Sequence, residues 1–306
     1  MGEKLSWMRL IVDNVENLPP SASKRDIEAS TNAARWAGFE AIHIEPDFAR
    51  CGSAEAAHWV LNEAGGKECA FWLGYIPSAD RYLEISQALS DKGYHLPNSP
   101  SQHNKAMELD LAYPEIRELT ARTVVAFSVE GAVQRSVGLT FPLFVKGSVQ
   151  SWKSKGWDAC VVETVDDLAR LVRQILQFQS RTRGKIVMRE LLSLRHTRKS
   201  GLGFPIGREY RVFLFNGKPV SMAYYWDSED EFGKLSPKEE SEVLRLAGEA
   251  ARRLGVTYVA IDVGQDESGR WWVIETADGQ FAGISPDRVV SHWRTLWELA
   301  AKTPIS

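Results

Sequence analysis

Three stretches from residue 141 onward gather residue types that bind phosphate and divalent metal. Lys146 closes an apolar run, FPLFVKG, just before Gly147, so a cation can project from a rigid strand while glycine lets the chain turn. Lys153, Lys155 and Gly156 follow in SVQSWKSKG, a polar stretch suited to a flexible flap over a polyphosphate. Near the end, Asp262, Glu275 and Asp278 lie on two apolar runs, YVAIDVGQ and WWVIETAD, joined by the turn DESG. Carboxylates on adjacent strands can converge on Mg2+, a hard ion that takes oxygen ligands and is usually shared with substrate phosphates. Taken singly, each feature has an ordinary explanation. A strand-end lysine keeps its ammonium in water above an apolar stem, and acids beside a hairpin form a polar rim. Arg211 can pair with Glu209 or Glu190 across a sheet, a contact worth ~0–1 kcal/mol at a surface.

The elements that must position these residues can be read from periodicity and punctuation. Leu10 to Val12 reads as a strand, and Ser23 as the cap of a helix over DIEASTNAARWAG that stops at Gly38. AIHIEP at 41–46 is a second strand, AEAAHWVLNEAGG a second helix, and CAFWLGYI at 69–76 a third strand. This alternation predicts a small parallel α/β domain over 1–110. A helix from Arg81 to Lys92, an extended connector around Pro97 and Pro100, and helical stretches SQHNKAMELDLAY and PEIRELTARTVVAF form the join, with a domain boundary between 95 and 115. From 141 onward the pattern changes. FPLFVKG, DACVVET and GKIVMRELL are strands, and VDDLARLVRQILQFQS is an amphipathic helix with Leu168, Leu171, Val172, Ile175 and Leu176 on one face. EYRVFLFNGKPVSMAYYW is a hairpin turned by Asn216-Gly217. A helix ending at Gly255, the two acid-bearing strands and a last helix, DRVVSHWRTLWELAAK, complete the chain.

That order resembles the ATP-grasp superfamily: strand lysine, flexible loop, strand, helix, strand ending in Arg189-Glu190-Leu191, hairpin with Arg211, helix, then Asp and Glu on paired strands. The resemblance is carried by FPLFVKG, VMREL, EYRVFLFNGKPV, YVAIDVGQ and WWVIETADGQ, and covers roughly residues 95 to 300. Within the superfamily the chain looks closest to the clade named for one arginine and two lysines. That clade is also similar to a eukaryotic ATP-grasp-like assembly factor for a translation initiation factor. The resemblance implies an α/β fold in which two α+β lobes, about 111–188 and 189–306, clasp ATP behind the small N-terminal domain. It implies that Lys146 contacts the α- and β-phosphates, and that Lys153 or Lys155 approaches the β- and γ-phosphates. Glu190, Leu191 and Leu192 would form the hinge that pairs with the adenine edge, with Met188 sandwiching the ring. Arg211 would stabilise the transferring γ-phosphate, and Asp262 and Glu275 would hold Mg2+, with Asp278 a third candidate. One position departs from the pattern. Many members carry Asn two residues after the last-strand Glu, where this chain has Ala277.

The implied activity is ADP-forming ligation of a carboxylate to an amine or thiol through an acyl phosphate, which needs no protein nucleophile. A peptide or protein end is compatible as acceptor. The other reading is an ATP-binding assembly factor or chaperone-like protein without ligase turnover, and a weaker one is kinase-like transfer to a small molecule. Composition bounds these readings. A length of 306 residues that is 44% hydrophobic supports more than one packed unit, and a net charge of -3 gives no general reason to expect nucleic acid or membrane partners. Three scattered cysteines make neither a disulfide framework nor a four-ligand zinc site, and point to a reducing, cytoplasmic setting. MGEKLS fits the loose myristoylation pattern at Gly2 and Ser6 and carries no weight at that length. The six histidines show no metal-ligand spacing, though His103 and His196 fall near the expected site. SLRHTRKSGLGFPIGRE, with Arg195, Arg198, Lys199 and Arg208, reads equally as a solvated loop or as a lid over an acidic substrate.

Overall fold

In a computed structural model, the structure describes residues 8–46, 61–64, 66–149, 151–178, 182–226 and 230–303. The expected helix over 54–66 and the stretch holding Gly2 and Ser6 lie outside or largely outside these. The chain opens with β1 (Arg9–Asp13), α1 (Ala22–Ala37), β2 (Glu40–Ile44), β3 (Glu68–Leu73), α2 (Ala79–Asp91) and β4 (Tyr94–His95). The four strands form a parallel sheet in the order β2-β1-β3-β4, as the alternation requires. The first helix begins a turn earlier than expected. Ser21, not Ser23, caps it, accepting the Lys24 amide at 3.1 Å, while Gly38 ends it at φ 104°, where a side chain would be strained.

The join is two short helices, α3 (Pro100–Met107) and α4 (Leu109–Ile116), and then the helical expectation fails: Thr123–Ala126 is strand β5. Its Thr-Val-Val run is β-branched and fits a pleated surface better than a helix. Following β5 come α5 (Val129–Ser136), β6 (Leu143–Gly147), β7 (Val161–Val162), α6 (Val165–Ile175) and β8 (Ile186–Glu190). These strands form an antiparallel sheet, β5-β8-β6-β7, whose apolar face packs on α5 and α6 through Val145, Ile186, Met188, Leu168 and Ile175.

The third sheet supplies the other half of a cleft. After a small antiparallel pair, β9 (His196–Lys199) with β10 (Pro205–Gly207), come β11 (Glu209–Phe215), β12 (Lys218–Tyr224), α7 (Pro237–Leu254), β13 (Tyr258–Gln265), β14 (Trp271–Asp278) and α8 (Val289–Ala300). Their order is β12-β11-β13-β14, antiparallel throughout. Asn216 and Gly217 both have positive φ, 49° and 71°, the conformation that a two-residue hairpin turn needs. One face of this sheet packs on α7. The other shares a core with the N-terminal elements, where Leu10, Phe71, Phe213, Phe215, Tyr258 and Trp293 meet.

Asn98, in the connector before α3, locks these parts together. Its buried side chain donates to the Tyr258 carbonyl at 2.7 Å and accepts the Tyr258 amide at 2.9 Å, while its own carbonyl accepts from the Tyr82 hydroxyl at 2.8 Å. Replacing it with Ala strands the buried Tyr258 amide, while the Tyr258 carbonyl keeps the Gly279 amide at 3.1 Å, and one unmet buried group costs about 1–3 kcal/mol. Asn98→Ala is therefore expected to lower unfolding stability by about 1–3 kcal/mol in urea titration, and a loss under about 0.5 kcal/mol would contradict the clamp.

Candidate functional site

The two antiparallel sheets face each other across a cavity of about 430 Å3, lined from β6, β8, β11 and β14 and covered by the segment 192–205. Strand alternation decides which side chains reach it. On β6, Phe144 and Lys146 turn to the cavity while Leu143 and Val145 enter the core behind. On β8, Arg189 turns to it, and Met188, fully buried, packs behind with Val145. Met188 therefore does not flank the cavity as expected. Leu191, Leu192, Trp157 and Phe204 provide its apolar walls instead.

Lys146 is buried to 4% exposure and donates to Glu275 Oε1, an ion pair that crosses from one sheet to the other. Glu275 stands opposite Asp262 in the β13–β14 register, and Asp262 stands opposite Arg211 in the β11–β13 register. Arg211 binds Asp262 bidentately, Nε to Oδ1 and Nη2 to Oδ2, both at 2.8 Å. Lys146, Glu275, Asp262 and Arg211 thus form one continuous charged row. Burial would raise the Glu275 carboxyl, but Lys146, then Lys153 and Arg211, outweigh it and bring it down to about 2. Burial likewise acts to lower Arg211, and Asp262 more than reverses it, keeping the guanidinium charged.

The flap lysines separate. Lys153 sits in a single 3-10 turn and enters the cavity, its Nζ 3.9 Å from Glu209 Oε2 and 5.7–5.9 Å from the ring centres of Phe144, Phe204 and Tyr225. Burial works against its charge, yet Glu209, Tyr225, Glu275 and Asp262 together hold it above the ordinary lysine value. Lys155, two residues on, points away and lies 4.1 Å over the Trp152 ring. The structure therefore brings Lys153, and not Lys155, to the cavity. It does not bring Asp278 there either. Three positions from Glu275 on a regular strand, Asp278 faces the opposite side, fully buried, with Oδ2 2.9 Å from His103 Nδ1 and Oδ1 accepting the Gln280 amide at 3.0 Å.

Glu209 and Arg189, named from the sequence only as a pairing partner and within a motif, also line the cavity. Glu209 begins β11 and shares a face with Arg211. Its carboxylate is buried, Oε2 has no hydrogen-bond partner, and burial first, then Asp262 and Glu275, raise its affinity for a proton against the pull of Lys153. The signal was present in EYR, an acid two residues before a singled-out arginine at the start of a strand. Arg189, fully buried, is pushed down to about 10 by desolvation and donates to the Ile274 carbonyl and Thr120 Oγ1. The basic segment resolves mainly to structural pairing: Arg208 with Glu239 and Gln265, Arg198 with Asp230, and Arg195 with Gln265, while Lys199 and His196 line the cavity.

The hinge expected at Glu190, Leu191 and Leu192 borders the cavity, with the Glu190 amide donating to Arg122 O at 3.0 Å and the Leu191 amide to Pro142 O at 3.1 Å. Among the described residues no group of three or more His, Cys, Asp or Glu is arranged to hold a metal. Asp262 and Glu275, in register on adjacent strands, are oxygen donors of the kind a hard cation shared with phosphate takes, but here Arg211 holds both Asp262 oxygens and Lys146 holds Glu275 Oε1.

A family model for an ATP-grasp domain, family 3 of the clade named for one arginine and two lysines, matches residues 136–298, more than half of the chain. Among curated proteins none matches by sequence. Solved structures share the fold at low identity. A RimK domain protein ATP-grasp from Sphaerobacter thermophilus DSM 20745 superposes with a TM-score of 0.61 at 14% identity, covering 95% of this chain and 99% of its own. D-alanine–D-alanine ligase from Bacillus anthracis complexed with ATP gives 0.60 at 12%, covering 98% and 100%. The ATP-grasp ligase PsnB complexed with minimal precursor gives 0.57 at 14%, also covering 98% and 100%.

The low position of Glu275 has a stability consequence with a definite sign. A carboxyl whose folded value lies below its unfolded value of about 4.3 stabilises the protein above that pH, and the contribution disappears as pH falls toward the folded value. The stability difference between the parent and Glu275→Gln should therefore narrow between about pH 5 and pH 2 in denaturant titrations. A difference independent of pH over that window would show that the row does not hold Glu275 ionised.

Proposed function

This chain belongs to the ATP-grasp domains, in family 3 of the one-arginine, two-lysine clade, and from that membership we propose that it is a cytoplasmic, ATP- and Mg2+-dependent carboxylate–amine ligase that releases ADP. The observation that carries the reading is the convergence of Lys146, Lys153, Glu209 and Glu275 on one cavity between two antiparallel sheets, with Arg211 and Asp262 continuing the row. Such a cavity has an apolar end at Leu191, Leu192, Trp157 and Phe204 for a purine, with the hinge beside it, and a charged end for a triphosphate. The solved relatives complexed with ATP and with a peptide precursor support the same class of substrates.

In the proposed reaction, Lys146 holds the α- and β-phosphates, and Lys153 the β- and γ-phosphates. A carboxylate oxygen of the substrate attacks the γ-phosphorus, the bond to the β–γ bridging oxygen breaks, and ADP departs, leaving an acyl phosphate. An amine then attacks the acyl carbon, phosphate leaves, and the ammonium proton passes to solvent. Arg211 faces the charge that grows on the transferring group. Asp262 and Glu275 would hold Mg2+, which supplies neutralisation of phosphate oxygens. Positioning and electrostatics carry such a transfer, since little covalent chemistry falls to the protein. Ala277, where many members carry Asn, favours a second reading: a nucleotide-ordered assembly factor that binds ATP without ligation.

Calorimetric titration with ATP and Mg2+, followed by ADP release against pooled amino acids and peptides, tests the proposal. Lys146→Ala and Lys153→Ala should weaken nucleotide binding on the order of 10–100-fold, because each removes a buried charged partner. Lys155→Ala should leave binding within about twofold, and Arg211→Ala should spare binding while lowering turnover on the order of 100-fold. Magnesium-dependent binding with no substrate-stimulated ADP release would move the assignment to the assembly factor, and no binding would refute both.

A further inference from the structure

A second cavity, of about 420 Å3, opens on the far side of Arg211. Its floor is the hairpin: Phe213 on β11, and Ala223 on β12 directly across from Arg211 in the register. Tyr225 and Trp226, just past β12, form an aromatic wall, and the segment 283–286 closes over it, Gly283 O accepting from Arg211 Nη1 at 3.2 Å. Two charges of opposite sign stand at its edge, Arg288 before α8 and Asp26 on α1.

Tyr225 separates this cavity from the first. The Arg211 guanidinium lies 4.8 Å from the centre of its ring and the Lys153 ammonium, which belongs to the first cavity, 5.8 Å. The charged row runs along the same boundary, with Glu275 lining the first cavity and Arg211 the second. A phosphoryl group held by Lys153 therefore has, on the other side of Tyr225, a space with a guanidinium at its inner end and an aromatic wall. A reacting carboxylate would be drawn to that guanidinium, leaving its apolar body against Phe213, Tyr225 and Trp226 and its ammonium on the side of Asp26. The volume sits near the lower end of the ~300–1,000 Å3 that organic ligands occupy, so the fit is to one or two residues, not a folded protein surface.

We infer that this cavity is the acceptor pocket and that the carboxylate it takes is an α-amino acid, free or at the end of a dipeptide, with an aromatic or branched apolar side chain. The inference rests on the ligase reading and adds the substrate class. In the step it serves, the amino-acid carboxylate oxygen bonds to the γ-phosphorus as the bond to ADP breaks, giving an aminoacyl phosphate beside the aromatic wall.

The test uses the full chain with Mg2+ and a non-hydrolysable ATP analogue, titrated calorimetrically with phenylalanine, tyrosine, leucine, alanine, glutamate and lysine, and then the same panel in ADP release with ATP. The aromatic and branched members should bind and stimulate release at least about tenfold better than alanine or glutamate. Ala223→Phe fills the pocket without touching the first cavity, and should raise KM for the best amino acid about tenfold while changing analogue affinity less than about twofold. Trp226→Ala should reduce the preference for phenylalanine over alanine. Preference for small or acidic members, an unchanged KM in Ala223→Phe, or binding of the analogue with no amino acid binding at all would each overturn the acceptor assignment. Failure of the analogue itself to bind would instead strike at the ligase reading.

Discussion

Burying ions demands partners, and here the partners set the architecture. Lys146, Glu275, Asp262 and Arg211 are largely withdrawn from water; Lys146 neutralises Glu275, Arg211 neutralises Asp262, and the two carboxylates meet in the middle of a row spanning three strands of one sheet and one of the other. Removing one member of such a series leaves another charged and desolvated, which is far costlier than losing a surface pair. The row therefore fixes how the facing sheets approach. A one-residue slip of β14 against β13 would turn Glu275 away from Lys146 and leave both charges unpaired. The regular pairing from Val259–Asp278 to Asp262–Glu275 sets that register, and the irregularity comes only after it, between Asp262 and Val263.

Much of this was legible in the sequence because it sits on strands with strong period and clear punctuation. Lys146 before glycine, Arg211 on an Asn-Gly hairpin, and Asp262 and Glu275 flanking a four-residue polar turn declare themselves by position. What was not legible depends on facing or on distance. Lys153 and Lys155 are distinguished by a single 3-10 turn that composition does not reveal. Met188 and Asp278 lie on the right strands with the wrong parity, a matter of counting from Lys146's neighbours and from Glu275. The misread helix at TVVAF shows tertiary pairing with β8 agreeing with β-branched preference against a run that otherwise scans as helical. The cavity beside Arg211 could not be read at all, since α1, β12 and the segment before α8 are brought together only by the fold.

Polar groups buried away from the cleft have a different task. His103 stacks on Tyr82 at 3.9 Å between ring centres and contacts Asp278, while Gln280 reaches Trp72 N, Tyr82 Oη and both Asp278 oxygens. This network lies where the parallel sheet, α3 and the end of β14 meet. Apart from His103 Nε2, which is buried without a hydrogen-bond partner, the network is paired, and any shift would leave several groups unpaired at once. Thus the acid that a linear reading assigns to metal works as the keystone of an interface.

The elements that meet there form the larger of two bodies of unequal standing. The N-terminal sheet, the β11–β14 sheet and α8 share a core and the Asn98 clamp, whereas the β5–β8 sheet has a core of its own. The chain enters this second body beside Arg122 and leaves beside Glu190, two points held together by the Glu190 amide on Arg122 O. That root is not its only tie: Arg183 and Lys185 pair with Glu108, Lys185 also with Asp110, and Lys146 with Glu275. Any rotation that widened the cleft would have to part Lys146 from Glu275, so the charged row also works as a latch that holds the facing sheets at one spacing.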